Sequence, residues 1–275
     1  MIYIVLAVLG LALGSFVNAV VYRVHEQAKS KKTGQELSIL KGRSMCPHCR
    51  HALAVRDLVP LFSWLSLRGK CRYCHKPISR QYPLVEAATA LLFVLSYFWW
   101  PVPVQGSQTV LFGLWLALLT GFMALIVYDL RWLLLPDRLL YPLTLVALVF
   151  AGVAAATAVH PGREVLNTVL AVAVGGGVFY VLFQVSAGKW IGGGDVKLGW
   201  LLGLIAATPA RSLLMIFSAA LLGSLASLPL LLARKLQRNS TIPFGPFLIV
   251  GAIVVQLFGH TILLWYRRTF LPPVL

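Results

Sequence analysis

The sequence predicts an all-α polytopic membrane protein of about eight transmembrane helices with a small cytoplasmic loop domain. Three observations predict it. Of 275 residues, 59% are hydrophobic and only 12% charged, against about 25% charged in ordinary soluble domains. Mean hydropathy is +0.83. The apolar residues also fall into runs long enough to cross a bilayer, so the main solvent is lipid and a soluble globular enzyme is excluded.

A helix rising ~1.5 Å per residue needs ~20 apolar residues to cross ~30 Å of hydrocarbon. The runs that qualify are Ile2–Val21, Leu84–Trp100, Thr109–Tyr128, Leu139–Val159, Val165–Ala187, Leu198–Thr208, Ser212–Ala233 and Ile242–Trp265. The sixth is too short to cross comfortably unless it begins inside the Gly192–Asp195 turn or is locally re-entrant. The first has no basic n-region and is read as a retained helix, not a signal peptide. The expected organisation is a first transmembrane helix over 1–22, a loop domain over 23–83 and a multi-helix membrane domain over 84–275.

Charge sets the expected orientation. Thirteen of the 24 Lys and Arg lie between Arg23 and Arg80, against only Glu26, Glu36 and Asp57 in that stretch. With the N-terminus outside, this loop and the segments Asp129–Arg138, Gly188–Lys197 and Arg234–Arg238 are cytoplasmic. Only Arg163, Arg211, Arg267 and Arg268 then lie outside, as the positive-inside rule requires. The net charge of +16 is thus read as a juxtamembrane surface facing anionic lipid, and no nucleic-acid partner is expected.

All four cysteines lie in the first loop, as Cys46-Pro-His-Cys49 and Cys71-Arg-Tyr-Cys74, with 21 residues between the pairs. Two C-x2-C turns supply four thiolates for a closed tetrahedral Zn2+ site with no position left for a substrate water. Arg50, Lys70 and Arg72 are expected to favour the thiolates. Disulfides would need an oxidising compartment, against the charge-derived topology. His48, His51 and His75 read as knuckle surface residues, since four sulfurs fill the site.

Beyond the loop the acidic residues are Glu86, Asp129, Asp137, Glu164 and Asp195. Ionisable residues at the ends of membrane helices are functional candidates. Asp129 ends the third run, and Asp195 follows Gly192-Gly193-Gly194 at the start of the sixth. The topology places both at the cytoplasmic face. Two carboxyl groups at one depth can divide the work of hydrolysis: one activates water while the other, protonated, polarises a peptide carbonyl. The bland alternatives are that Asp129 pairs with Arg131 or Lys197, and that Asp195 caps the sixth helix. Asp137 reads as the N-cap of the fourth run, Glu164 as a loop charge beside Arg163, and Glu86 as either an interfacial residue or part of a polar site.

Taken together, these residues resemble the type IV prepilin peptidases, the bifunctional leader peptidase/N-methyltransferases of type IV pili and type II secretion. The likeness runs from Gly14-Ser15-Phe16-Val17-Asn18 through both cysteine pairs, Pro60–Leu65 and Leu67–Cys74. It continues through Tyr82–Glu86, Asp129-Leu130 with Leu135-Pro136-Asp137, Gly192–Leu198 and Ile242–Phe247. The resemblance implies a GxGD-type intramembrane aspartyl protease with Asp129 and Asp195, rather than Asp137, as the catalytic pair. It implies prepilin or pseudopilin substrates, cleaved after a glycine at the cytoplasmic face of the bacterial inner membrane. It further implies methylation of the new N-terminus from S-adenosylmethionine, at residues no motif localises. Two departures are Ala90, glycine in some members, and Leu58-Val59-Pro60, where others read Asn-Ile-Pro. The alternatives from other classes are a proton-coupled transporter using the two aspartates as a relay, and a non-enzymatic assembly factor docking through its zinc loop.

Overall fold

The computed structural model describes residues 1–29, 43–233 and 242–270. Glu36 and the basic segment Arg234–Arg238 lie outside the described residues. Among these residues the chain is helical and forms no strand beyond two isolated bridges. The helices are α1 (Ile2–Lys29), α2 (Phe62–Ser66), α3 (Gln81–Phe98), α4 (Ser107–Trp132), α5 (Asp137–Ala156), α6 (Pro161–Val185), α7 (Gly193–Ala206), α8 (Pro209–Leu232) and α9 (Gly245–Phe270). Seven of them are long and apolar enough to cross a membrane, which makes the chain a multi-pass membrane protein. The exception among the predicted runs is α7. It does begin inside the glycine turn, but its 14 residues span only ~21 Å, short of the hydrocarbon thickness.

The chain divides into two compact units. The first comprises Met1–Phe98 with Leu119–Val127 of α4. Within it α1 and α3 pack antiparallel in a register set by small residues. A Cβ on Gly10 would lie 2.5 Å from the Ala90 Cα, and one on Gly14 would lie 2.7 Å from the Glu86 Cα. One turn further, Asn18 donates from Nδ2 to the Tyr82 carbonyl at 3.3 Å and accepts from Gln81 Nε2 at 3.1 Å. Gly10 and Gly14 thus bring two backbones into contact where lipid offers no hydrophobic driving force and close van der Waals packing must hold the pair. Ala90 is the small partner opposite Gly10.

The second unit comprises Trp99–Leu118 and Tyr128–Leu275. Its centre is α7, which touches α5, α6, α8 and α9 and buries Leu198, Leu201, Leu202 and Ile205 completely or nearly so. The α6–α7 crossing is again built on glycine: a Cβ on Gly199 would lie 2.6 Å from the Gly175 carbonyl oxygen, and one on Gly203 would lie 2.7 Å from the Val172 Cα. Ser212 of α8 donates to the Ala171 carbonyl at 2.9 Å, joining a third helix to this crossing. Beyond Lys197, α7 is apolar on every face, and such a segment packs in the middle of its neighbours.

Candidate functional site

Asp129 lies in the last turn of α4. That helix stops four residues on, at Leu133, whose left-handed backbone (φ 54°) turns its N–H back to the Asp129 carbonyl. Asp195 lies in the first turn of α7, which opens from Gly192. A carboxylate is well placed there, beside unsatisfied N–H groups and the positive end of the helix dipole. The Asp195 carboxylate accepts the Gly192 N–H, and the Asp129 carboxylate accepts the Gly245 N–H from the start of α9. The two acids are close enough to repel each other. Asp129 is buried and Asp195 half-buried.

Two glycines make this closeness possible. A Cβ on Gly245 would lie 2.5 Å from Asp129 Oδ2, and one on Gly194 would lie 3.0 Å from the Leu135 side chain. Leu135 also fills the space beside Gly245, so one leucine wedges the loop after α4 against the openings of α7 and α9. The glycine run does not interrupt the helix. Instead Gly193 and Gly194 are its first residues, and Gly192 has an ordinary extended backbone (φ −75°). Their value is the missing side chain, not unusual torsion angles. The roles of Gly245 and Leu135 went unassigned in the sequence, although both lie in segments that carry the resemblance.

The competing acids fall elsewhere. Asp137 is exposed and ion-paired to Lys197 at 2.6 Å. It is the first residue of α5, not its N-cap, a position held by Pro136. Among the described residues neither Asp129 nor Asp195 forms an ion pair. Glu86 is buried in the first unit; its Oε2 accepts the Leu61 N–H at 2.8 Å, and the side chain also bonds Ser15. The open choice for Glu86 thus resolves to a polar site that ties α1, α3 and the loop together.

The four cysteines converge. Their sulfurs all lie within 4.8 Å of one another, and Cys46 and Cys74 Sγ are 3.9 Å apart, close to the ~3.8 Å edge of a tetrahedron with ~2.3 Å zinc–sulfur bonds. All four are free thiols, not disulfides. The two turns are built alike. The Arg50 N–H returns to the Cys46 carbonyl and the His75 N–H to the Cys71 carbonyl, with Arg50 and His75 both at positive φ. This donor set fits a metal ion, and no histidine joins it among the described residues. His51 instead stacks on Tyr73, ring centroids 3.7 Å apart, joining one knuckle to the other.

The expected thiolate support is partly corrected. Burial alone would push the Cys46 thiol up, but the backbone N–H groups of Cys49 and His48, together with the Cys49 and Cys71 thiols, bring it down to about 7. Arg72 is occupied elsewhere, donating to Asp57 at 2.7 Å beside the Tyr73 hydroxyl at 3.0 Å.

Known proteins give this geometry a family. The profile described as Bacterial Peptidase A24 N-terminal domain matches residues 8–100, and that of the Type IV leader peptidase family matches residues 116–228. A prepilin leader peptidase/N-methyltransferase of Aeromonas hydrophila is 31% identical over 95% of this chain and 92% of its own length. The protein of that name from Pectobacterium carotovorum subsp. carotovorum is 35% identical over 90% of each chain. That from Bacillus subtilis (strain 168) is 30% identical over 96% of this chain and 97% of the relative. No solved structure matches. The chain is a membrane-embedded peptidase by class. It belongs to the type IV leader peptidase family, which favours the peptidase reading over a transporter or an assembly factor.

Proposed function

We propose that this protein removes the leader peptide of prepilins or pseudopilins with Asp129 and Asp195 as the catalytic pair, and then methylates the new N-terminus from S-adenosylmethionine. The observation that carries the peptidase reading is the meeting of two carboxyl groups from the end of α4 and the start of α7, each held by one glycine N–H. Hydrolysis of an amide needs a base for water and an acid for the carbonyl. Two carboxyl groups sharing one proton supply both. The ionised member takes a proton from water as its oxygen attacks the scissile carbonyl carbon, while the protonated member donates to the carbonyl oxygen. Collapse of the tetrahedral intermediate then breaks the C–N bond, with the proton passing to the departing amine. The N–H groups of Gly245 and Gly192 favour the ionised form of the carboxyl each one faces.

The relatives are named for both activities, and the methyl step completes the reading: the amine released by cleavage is the nucleophile that accepts the methyl group. The four cysteines would hold a structural Zn2+, whose binding energy stiffens a loop too small for a core of its own. The concentration of basic residues in that loop supports a cytoplasmic loop, an outside N-terminus and placement in the bacterial inner membrane.

The test is cleavage of a prepilin by purified protein in detergent, wild type beside Asp129→Asn and Asp195→Asn, with the product's N-terminal mass read with and without S-adenosylmethionine. Loss of cleavage in both variants and a methyl increment in the wild type are expected. Cleavage retained in either variant overturns the dyad, and cleavage without the increment removes the methyl transfer.

A further inference from the structure

The loop domain turns an apolar edge away from its own interior. In α2, Trp64 faces inward: it packs on Gly69, where an added Cβ would lie 2.9 Å from the ring, and donates from Nε1 to the Ile78 carbonyl at 3.3 Å. Phe62 and Leu65, three residues apart and so on one face of the turn, are 68% and 64% exposed. Leu58 and Val59 extend the same exposed stretch. A domain whose inner face is already satisfied by Trp64 gains nothing for its own core from these four side chains. Two large exposed apolar residues on so small a module mark a contact surface.

Two observations name what covers it. The first is position. The residue directly before Phe62 gives its N–H to Glu86 at 2.8 Å, and Glu86 lies in the second turn of α3, a helix apolar enough to span a membrane. α2 is therefore held beside the end of the α1–α3 pair, at the level where hydrocarbon gives way to headgroups. The second is charge. From Arg43 to Arg80 the one acidic residue is Asp57, and Arg72 occupies it. Arg56, Arg68 and Lys70, which flank the apolar edge, are exposed. Basic side chains around an apolar wedge form the pattern of an interfacial element on an anionic bilayer.

We propose that α2 is a membrane foot: Phe62 and Leu65 insert into the headgroup region of the bilayer that holds α1 and α3, and the surrounding cations bind anionic lipid. The foot fixes the height of the metal module above the membrane through two attachments, Glu86 within the helix pair and Phe62 with Leu65 within the lipid. It does not depend on the assignment of the catalytic pair.

The experiment uses the full chain in vesicles of phosphatidylethanolamine and phosphatidylglycerol. p-Benzoylphenylalanine replaces, one at a time, Phe62, Leu65, His48 on the exposed knuckle, and Leu91 on the exposed side of α3. After irradiation, adducts are identified by mass spectrometry. Phospholipid adducts at positions 62 and 65 are expected at yields comparable to position 91 and severalfold above position 48, rising with the phosphatidylglycerol fraction. Lipid yields at 62 and 65 no greater than at 48 overturn the proposal. So do adducts formed instead to a second copy of the chain or to an added prepilin.

Discussion

Lys197 clasps Asp137, not Asp195 two residues before it nor Asp129: its Nζ lies 2.6 and 2.8 Å from the two Asp137 oxygens. The cation nearest Asp195 in sequence is thereby spent on an exposed carboxylate at the start of α5. Asp137 thus has an ion-pair partner, while Asp129 and Asp195 have none among the described residues. Exposed ion pairs contribute about 0.2–1 kcal/mol. Asp137→Ala is therefore expected to keep leader cleavage within roughly fivefold of wild type, while Asp129→Asn loses it. Side-by-side initial rates on one prepilin check the contrast.

Gly245 offers a sharper probe of the site. A methyl group there would stand 2.5 Å from Asp129 Oδ2, forcing the carboxylate off its N–H donor. Gly245→Ala should cut the cleavage rate on the order of 10²-fold, the scale of a small misplacement of a catalytic group. Thermal stability should change little. Gly223→Ala is the control, because an added Cβ would meet Phe247 at an ordinary 3.5 Å.

Removing one sulfur should leave the knuckles without a closed ligand set. Cys46→Ser and Cys71→Ser are each expected to lower bound metal, read by elemental analysis of the purified protein. Proteolysis within residues 43–80 should speed up in both, and chelation of the wild type should reproduce that effect. Full metal content in both variants would be incompatible with a four-cysteine site.

The Asp57 carboxyl gives the loop a defined acid response. Burial would raise it, but hydrogen bonds from Arg72, Tyr73 and the Ala54 N–H outweigh burial and hold it below its ordinary value. A group lowered on folding stabilises above its unfolded pKa, and that contribution disappears as pH falls through the folded value. The difference in loop protection between wild type and Asp57→Asn should thus be constant at neutral pH and vanish only below about 4. Hydrogen exchange of residues 53–78 across pH 3–6 checks it. Comparing the two proteins cancels metal loss common to both.

The glycine crossing of α6 and α7 makes a stability prediction. Gly199→Ala would place a methyl 2.6 Å from the Gly175 carbonyl oxygen and 2.8 Å from the Phe179 ring, and overpacking of this kind costs about 1–3 kcal/mol. A lowered unfolding temperature in detergent is the expected result.

What could be read from the sequence was what local rules govern. Span length placed five of the seven long helices within about a turn of their ends, and α7 was recognisable as too short; α1 runs eight residues past its expected end at Val21, to Lys29, and α9 five past Trp265, to Phe270. The C-x2-C spacing placed the four-cysteine cluster because each pair is a local turn. Asp129 and Asp195 could be proposed as a pair because charge bias suggests a common face for their two loops. Partner choice across the fold was not legible in the same way. Nothing local says that Lys197 reaches Asp137, that Arg72 takes Asp57 in preference to supporting a thiolate, or that Gly245 supplies the N–H for Asp129. The close glycine contacts of α1 with α3 and of α6 with α7 show a related limit. Small residues spaced along an apolar run mark a close crossing, but the other member of the pair emerges only in three dimensions.

The hydrogen bond from Asn18 to the Tyr82 carbonyl spans 64 positions of sequence. The chain between them leaves and returns through one doorway between α1 and α3, closed on the membrane side by Gly14 against Glu86. A module hung from such a doorway is a cassette. Residues can be inserted or deleted within it without sliding one transmembrane helix against the other, because register is fixed below the hinge. Evolution can thus rewrite the loop domain of the enzyme while the helix pair that carries it stays as it is.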